Sequence, residues 1–419
     1  MALFGYIPAL ITFIFLITIM SYYALIFIKI KKPAKTHKFS SITVIIPAHN
    51  EEKYIGEAIG SVLDADFDGE KQIIIVDDGS KDNTYDIALK YEQQGVQVIK
   101  TAHSGKAASL NRALNRSMGD LIAVVDADSI IHKDALNALK DEVERDNTAA
   151  ATGVIKVKNR KKFICMWIHI EQLYNSLIRL LFSKINANIV TPGPLSVYRK
   201  KELLEAGAFS TEGFSEDIDV TIRLIRKGYK IGFSEKAVAE TNMPYTAKEF
   251  LRQRARFARG ILNIFKRHLQ LNKAIIDAYT LPLFLFSYAQ AVIMGAFTIY
   301  QITSGYIIYF FSKSIYFSFD ALRFFFDWFS VIGFLKWAGG IVSGATPLTI
   351  AAIIGIASTL LSYPLFILAI IKFDKKLDLW HLIPVFFMFP FWLLIMAVYI
   401  LMLPEYFRKG QYNIWKKNE

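Results

Sequence analysis

The sequence predicts an α/β domain built on a mainly parallel sheet and flanked by membrane-spanning helices. Three observations predict it. Strand-like apolar runs alternate with helix-like segments between residues 41 and 275, long uncharged runs lie on either side of that stretch, and acidic turns close the strand-like runs. In such sheets ligands bind beyond the carboxyl ends of the strands, so function is expected in those turns.

The elements follow in chain order. Met1 to Ile28 carries no charged residue, enough for one membrane-spanning helix. Lys29, Lys31, Lys32, Lys35 and Lys38 come next. Basic residues collect on the cytoplasmic side, so the N-terminus is expected outside and the following domain inside. A cleaved signal peptide is disfavoured because no basic segment precedes the apolar one. Ile42 to Ile46, closed by Pro47, reads as the first strand, with a helix entered near Glu51. Ile73 to Val76 reads as the second, followed by a turn of Asp77, Asp78 and Gly79 and a helix from near Asn83. The third and fourth are "VQVIK" and "DLIAVVDAD", with "GKAASLNRALNRSM" as the helix between them and another helix beginning at Lys133. Strands alternating with helices of this length indicate parallel pairing. Two amphipathic helices, "FICMWIHIEQLYNSLIRLLF" and "KEFLRQRARFARGILNIFKRHL", suit a membrane surface.

After residue 275 uncharged runs extend from Ala278 to Phe311, Ala338 to Ile371 and Leu379 to Leu403, which predicts three further spans. The intervening "SFDALRFFFDWFSVIGFLKW" mixes aromatics with isolated charges and suits an interfacial segment. The expected division is 1–30 transmembrane, 41–275 cytoplasmic domain, 276–404 membrane region and 405–419 tail. With 53% hydrophobic residues over 419 positions, the chain is too apolar to be wholly soluble. Its net charge of +12 lies largely beside apolar spans and on amphipathic helices, which points to a membrane surface and not to nucleic acid. The single Cys165 excludes an internal disulfide and any multi-cysteine zinc site.

The chemistry is sought in the acidic turns. Asp126 and Asp128 are two residues apart at the end of a strand-like run, so both carboxylates would leave the sheet on one face. They read either as a capped turn or as oxygen ligands for Mg²⁺ or Mn²⁺ on a diphosphate. Asp77 and Asp78 read either as an Asx turn or as acceptors for a base or ribose. No phosphate-cradling glycine motif occurs near these strands, which leaves charge neutralisation to a metal and to Lys106 or the arginines after Arg252. Ser215, Glu216 and Asp217 precede a helix, either as a dipole-favoured acidic cap or as a general base with its neighbour.

These segments in this order resemble the membrane-integrated, processive branch of glycosyltransferase family 2, the synthases of cellulose, chitin, hyaluronan and poly-N-acetylglucosamine. The resemblance covers residues 1 to 275 by motif and the remainder by membrane architecture. It implies a GT-A-type nucleotide-sugar-binding domain and an inverting, metal-dependent transferase that extends a polysaccharide and translocates it. Carried over position by position, Pro47, Ala48, Asn50 and Glu51 of "PAHNE" and Asp78 of "DDGS" would hold the uridine. Lys106 would lie near the nucleotide, Asp126 would contact the nucleotide-sugar and Asp128 the metal. Gly193 and Pro194 of "PGPLSVYR" look like the acceptor-side loop, and "SED" looks like the family's T/G-E-D, with Asp217 as base and Glu216 beside it. "QRARF" looks like Q-x-x-R-W: Arg256 would reach the diphosphate while Gln253, Arg254 and Phe257 face the acceptor. Here phenylalanine replaces the family tryptophan, keeping an apolar platform without the indole N–H.

The expected donor is a UDP-sugar, first of all UDP-N-acetylglucosamine, and the expected place is the plasma membrane as a multi-pass protein. A rival of the same fold transfers one sugar to a polyprenol phosphate or a diacylglycerol. A rival of another class is a transporter with a regulatory domain, against which stands the scarcity of ionisable residues within the spans. Whether a small membrane subunit joins the chain is left open.

Overall fold

The computed structural model describes residues 2–29, 31–213, 215–270 and 274–407. From residue 408 on, the expected basic tail lies outside the described residues. The strands are β1 (Ser41–Ala48), β2 (Glu70–Asp78), β3 (Val96–Thr101), β4 (Leu121–Val124), β5 (Ser129–Ile131), β6 (Thr148–Val157), β7 (Ser196–Arg199) and β8 (Lys230–Thr241). They form one mixed sheet in the order β3-β2-β1-β4-β7-β6-β8-β5. The half that carries the sequence motifs is parallel: β1 lies between β2 and β4, and β3 pairs with β2. Beyond β4 the sense changes, with β7 antiparallel to both β4 and β6, β8 parallel to β6, and β5 antiparallel to β8.

The helices are α1 (Ala2–Phe27), α2 (Ile55–Asp64), α3 (Thr84–Leu89), α4 (Lys106–Leu114), α5 (Ala135–Val143), α6 (Phe163–Ser183), α7 (Lys200–Glu205), α8 (Glu216–Arg226) and α9 (Ala247–His268). Then come α10 (Leu281–Tyr306), α11 (Phe319–Phe329), α12 (Val331–Val342), α13 (Ile350–Asp374), α14 (Leu379–Phe386) and α15 (Met388–Met402). The run Ile42 to Ile46 forms a strand because its β-branched side chains fit a pleated surface. It is buried throughout because helices cover both faces of the sheet. Ile42, Val44 and Ile46 pack with Ile55, Ile59 and Val62 of α2 and Leu136 and Leu139 of α5. Ile45 joins Leu110 and Leu114 of α4 and Val220 and Leu224 of α8 on the other face.

Helix α6 couples the sheet to the apolar helices. Its Cys165, Ile168 and Leu173 belong to one buried cluster with Val154 and Val157 of β6, Ile19 and Tyr22 of α1, Leu365 and Ala369 of α13, and Phe391 of α15. At its end Lys184 donates to the carbonyl of Leu25, 2.7 Å away, and so caps α1. Helix α9 lays Phe250 near Phe391 of α15, with ring centroids 5.9 Å apart.

Among the described residues three helical stretches are long and apolar enough to cross a membrane: Tyr6–Phe27, Ile276–Phe311 and Ile350–Asp374. Two bent pairs, α11 with α12 at 87° and α14 with α15 at 59°, are each apolar enough to make a broken span. The first expected C-terminal run is therefore one long helix. The second is not: residues 343–349 break it between α12 and α13, where Gly344 takes a positive φ and Pro347 follows. The third bends between α14 and α15, and its His381 is buried.

Candidate active site

The parallel strands end level with one another. Ala48 is in register with Asp77, and Asp77 with Lys100. Asp77 and Asp78 are thus the last residues of β2 and not a turn, as the sequence had suggested. Pro47 and Ala48 are buried at the end of β1. Asn50 adopts a φ of 55°, its N–H donating to Ser80 Oγ at 2.9 Å and its Oδ1 accepting from the N–H of Lys81 at 2.8 Å. The N–H of Glu51 donates to Thr84 Oγ1 at 2.7 Å, which completes a brace between the turns after β1 and β2.

Asp78 is buried and holds the segment leading into α4. Its Oδ1 accepts from the N–H of Ser104 at 2.9 Å and its Oδ2 from that of Gly105 at 2.8 Å. Burial alone would raise its pKa, but the N–H groups of Ser104 and Gly105, the Ser104 hydroxyl and the nearby His103 together outweigh it and the carboxyl titrates below its usual range. Next to it the His49 and His103 rings stack with centroids 4.2 Å apart.

Lys106 opens α4 and is the centre of the site. Its ammonium lies 2.6 Å from Asp126 Oδ1 and 3.5 Å from Glu216 Oε1. Burial would lower its pKa, yet the carboxylates of Asp126 and Glu216 hold it above the usual lysine range. The loop before β7 reaches this cluster because β7 runs antiparallel to β4. Val124 at the end of β4 pairs with Ser196 at the start of β7, so the loop before β7 lies against the turn after β4. A side chain on Gly193 in that loop would have to displace the ends of two site residues. A Cβ there would overlap Lys106 Nζ and approach the Asp126 carboxylate oxygens to 2.6 and 2.7 Å.

Asp126 and Asp128 do not leave a strand on one face, because β4 stops at Val124. They occupy a turn closed by the Ser129 N–H donating to the Asp126 carbonyl at 3.0 Å. They remain electrostatically close. Burial first, and then the charge of Asp126, raise the pKa of Asp128. Asp128 Oδ1 also accepts from Ser129 Oγ at 3.2 Å and from Thr241 Oγ1 at 3.3 Å. Two hard oxygen donors that repel each other fit a divalent cation, whose charge would relieve the repulsion. Two histidine clusters fit one less well. His169 accepts the Val157 N–H on Nδ1 and so donates Nε2 to Asp374 at 2.7 Å, while Lys156 and Arg160 already pair with that carboxylate and Arg160 Nη1 lies 3.0 Å from His381 Nε2. In the His49, Asp78 and His103 cluster, the carboxylate is already held by backbone N–H groups.

Glu216 and Asp217 form the first turn of α8 after the N-cap Ser215. Burial, and next the neighbouring Glu216, raise the pKa of Asp217, while Lys106 opposes them. Its carbonyl is held by hydroxyls of Thr221 and Thr191, the latter bonded to Tyr198. Sequence reasoning missed these three residues because nothing in their spacing distinguishes them from other core hydroxyls. It also missed Arg179 of α6, whose pKa burial lowers to about 10 against the pull of Asp217.

The "QRARF" residues divide. Arg254, expected at the acceptor, is buried: its Nη1 and Nη2 grip the Glu171 carboxylate of α6 at 2.7 and 2.5 Å. Helical periodicity turns it inward beside Phe250 and Phe391. The structure therefore makes it a clamp between α9 and α6 and corrects the expected acceptor contact. Gln253 donates Nε2 to Met243 Sδ at 3.6 Å. Arg256 is half-buried and faces the ring of Phe257, which is exposed. Pro194 is half-buried beside Gly193.

A mixed α/β sheet whose parallel strand ends carry a bracing acid and a D-x-D turn, with an acid-led helix beside them, defines a GT-A-type fold. Residues 43–204 match the family described as Glycosyl transferase family 2. It is 29% identical over 237 residues to the poly-beta-1,6-N-acetyl-D-glucosamine synthase of Staphylococcus aureus, covering 55% of this chain and 57% of that one. It is 30% identical over 234 residues to an N-acetylglucosaminyltransferase of Azorhizobium caulinodans, covering 52% of this chain and 59% of that one. The chain thus matches little more than half the length of these relatives. The mannosyltransferase PcManGT of Pyrobaculum calidifontis, solved with GDP-Man and Mn²⁺, shares the fold with a TM-score of 0.57 at 18% identity, over 94% of this chain and 99% of that one.

Proposed function

We propose that the protein is an inverting membrane glycosyltransferase that takes a sugar from a UDP-sugar, first of all UDP-N-acetylglucosamine, and extends a polysaccharide processively, translocating it across the plasma membrane. The observation that carries this reading is the convergence on Lys106 of Asp126 from the donor side and Glu216 beside Asp217. The names of the two relatives support N-acetylglucosamine as the sugar. Residues 41–275 are the cytoplasmic catalytic domain, and 1–30 and 276–404 its membrane anchors.

Pro47, Ala48, Asn50, Glu51 and Asp78 shape the nucleotide side, and Lys106 and Arg256 offer cations to the diphosphate. Mg²⁺ or Mn²⁺, held by Asp128 with Asp126, would supply positive charge against the diphosphate as it departs. Asp217 removes the proton of the acceptor hydroxyl, whose oxygen bonds to the anomeric carbon from the face opposite the leaving group. The bond from that carbon to UDP breaks, UDP keeps the electron pair, and the configuration inverts. Gly193, Pro194, Gln253 and Phe257 border the acceptor.

The test is to incubate membranes containing the full chain with a panel of radiolabelled UDP-sugars and Mg²⁺ or Mn²⁺, then to size the product. A high polymer from UDP-N-acetylglucosamine is expected. One sugar per lipid molecule would instead establish the lipid-acceptor rival, and solute movement without turnover of any UDP-sugar would establish a transporter.

A further inference from the structure

The first turn of α8 is tied to the sheet by hydroxyls. Thr221 Oγ1 donates to the carbonyl of Asp217 at 2.6 Å, and Thr191 Oγ1 lies 3.3 Å from the same oxygen. Thr191 Oγ1 is also 2.7 Å from Thr221 Oγ1 and 2.7 Å from the hydroxyl of Tyr198. Where Thr221 donates to Asp217 and Thr191 to Thr221, Tyr198 donates to Thr191 and each hydroxyl is used once as a donor; where Thr191 donates to the Asp217 carbonyl directly, Tyr198 still donates to Thr191 and the series still ends on that carbonyl. Burial raises the pKa of Tyr198, so its hydroxyl keeps the proton that starts the series. Thr191 and Thr221 are fully buried and Tyr198 is 1% exposed, so water cannot replace a lost member. Removing one hydroxyl leaves its neighbour's bond unmade in a dry site.

The placement of the series gives it a use. Tyr198 sits on β7, paired with Ile122 of β4, so it is fixed by the sheet. Thr191 begins the loop whose Gly193, two residues on, lies against Lys106 and Asp126. One short segment therefore touches the donor-side carboxylate through Gly193 and the main chain of Asp217 through Thr191. Its length sets the separation between the two.

We propose that Tyr198, Thr191 and Thr221 are positioning residues that fix Asp217 at the working distance from the sugar donor, an inference that rests on Asp217 being the general base. They touch neither donor nor acceptor. Their loss should lower turnover while leaving donor binding intact, because displacement of a base affects the transition state more than the bound donor.

The experiment uses the full chain in membranes or nanodiscs. UDP release from UDP-N-acetylglucosamine reports turnover, and titration with UDP reports donor-side affinity. Tyr198→Phe, Thr191→Val and Thr221→Val should each lower kcat by about tenfold, the rate equivalent of one hydrogen bond, with unchanged UDP affinity. Thr191→Ser and Thr221→Ser, which restore the hydroxyl, should return most of that rate. A merely structural role would make the serine variants, which also lack the methyl group, as poor as the valine ones; that result overturns the proposal. So does near-native kcat in all three hydroxyl-deleted proteins, or UDP affinity falling in step with kcat. If either valine variant fails to fold, Tyr198→Phe, which removes one oxygen only, decides the matter alone. Asp217→Asn is run in parallel. An active Asp217→Asn protein would refute the base assignment itself, whereas an inactive one beside fully active hydroxyl-deleted variants would refute only the positioning role.

Discussion

Replacing Glu171 by glutamine tests whether Arg254 is a clamp or an acceptor contact. Both side chains are nearly buried, at 7% and 9% exposure, and both guanidinium Nη atoms bond the carboxylate. Removing one partner of a buried pair destabilises by about 3–5 kcal/mol because the remaining charge is left uncompensated. Glutamine keeps the volume and one carbonyl acceptor, so roughly 2–3 kcal/mol is expected. If α9 opens locally by breaking this pair, its amide hydrogen exchange in nanodiscs should accelerate by roughly 30- to 150-fold, at 1.4 kcal/mol per tenfold. Exchange in β1 and β2 should stay as it was. The double change Glu171→Met with Arg254→Met should restore most of the protection, since an apolar pair of similar volume is often neutral there. Unchanged α9 exchange in Glu171→Gln, together with weakened acceptor use in Arg254→Met, would refute the clamp and return Arg254 to the acceptor.

Further outcomes are expected at the site. Gly193→Ala should lower turnover by at least about tenfold with the fold retained, because the new methyl must displace Lys106 or Asp126; native turnover with circular dichroism unchanged would show that the loop yields. Asp217→Asn should reduce turnover by roughly 10² to 10⁴-fold with UDP binding retained. Since burial and Glu216 raise the pKa of Asp217, activity should climb with pH as this base loses its proton, and Glu216→Gln, by removing a like charge, should move that rise to lower pH; a rise displaced upward contradicts the assignment. Asp128→Asn should abolish transfer, as should chelation of the native protein, and undiminished activity in EDTA would remove the metal from the reaction. Arg256→Lys should lower turnover although charge is kept, because lysine cannot make paired hydrogen bonds to phosphate, and Phe257→Ala should shorten the polymer without altering UDP affinity.

The sequence by itself determined the features that arise from near neighbours. Short continuous apolar runs of β-branched residues make β1 and β2, uncharged runs make α1, α10 and α13, and amphipathic spacing makes α6 and α9. It also located the acidic clusters near the strand ends, because strand ends are local properties, although Asp77 and Asp78 proved to belong to β2 itself. Tertiary structure alone decided what those clusters meet. Gly193 meets Asp126 because the sheet changes sense at β4 and β7, and Lys106 and Glu216 join them only through the packing of distant segments that sets strand order and helix placement. The same holds on α9, where one helix carries Arg254 and Arg256 two residues apart, about 200° around its axis. Spacing shows that they point to different sides; only the position of Glu171 on α6 reveals which side is the protein interior.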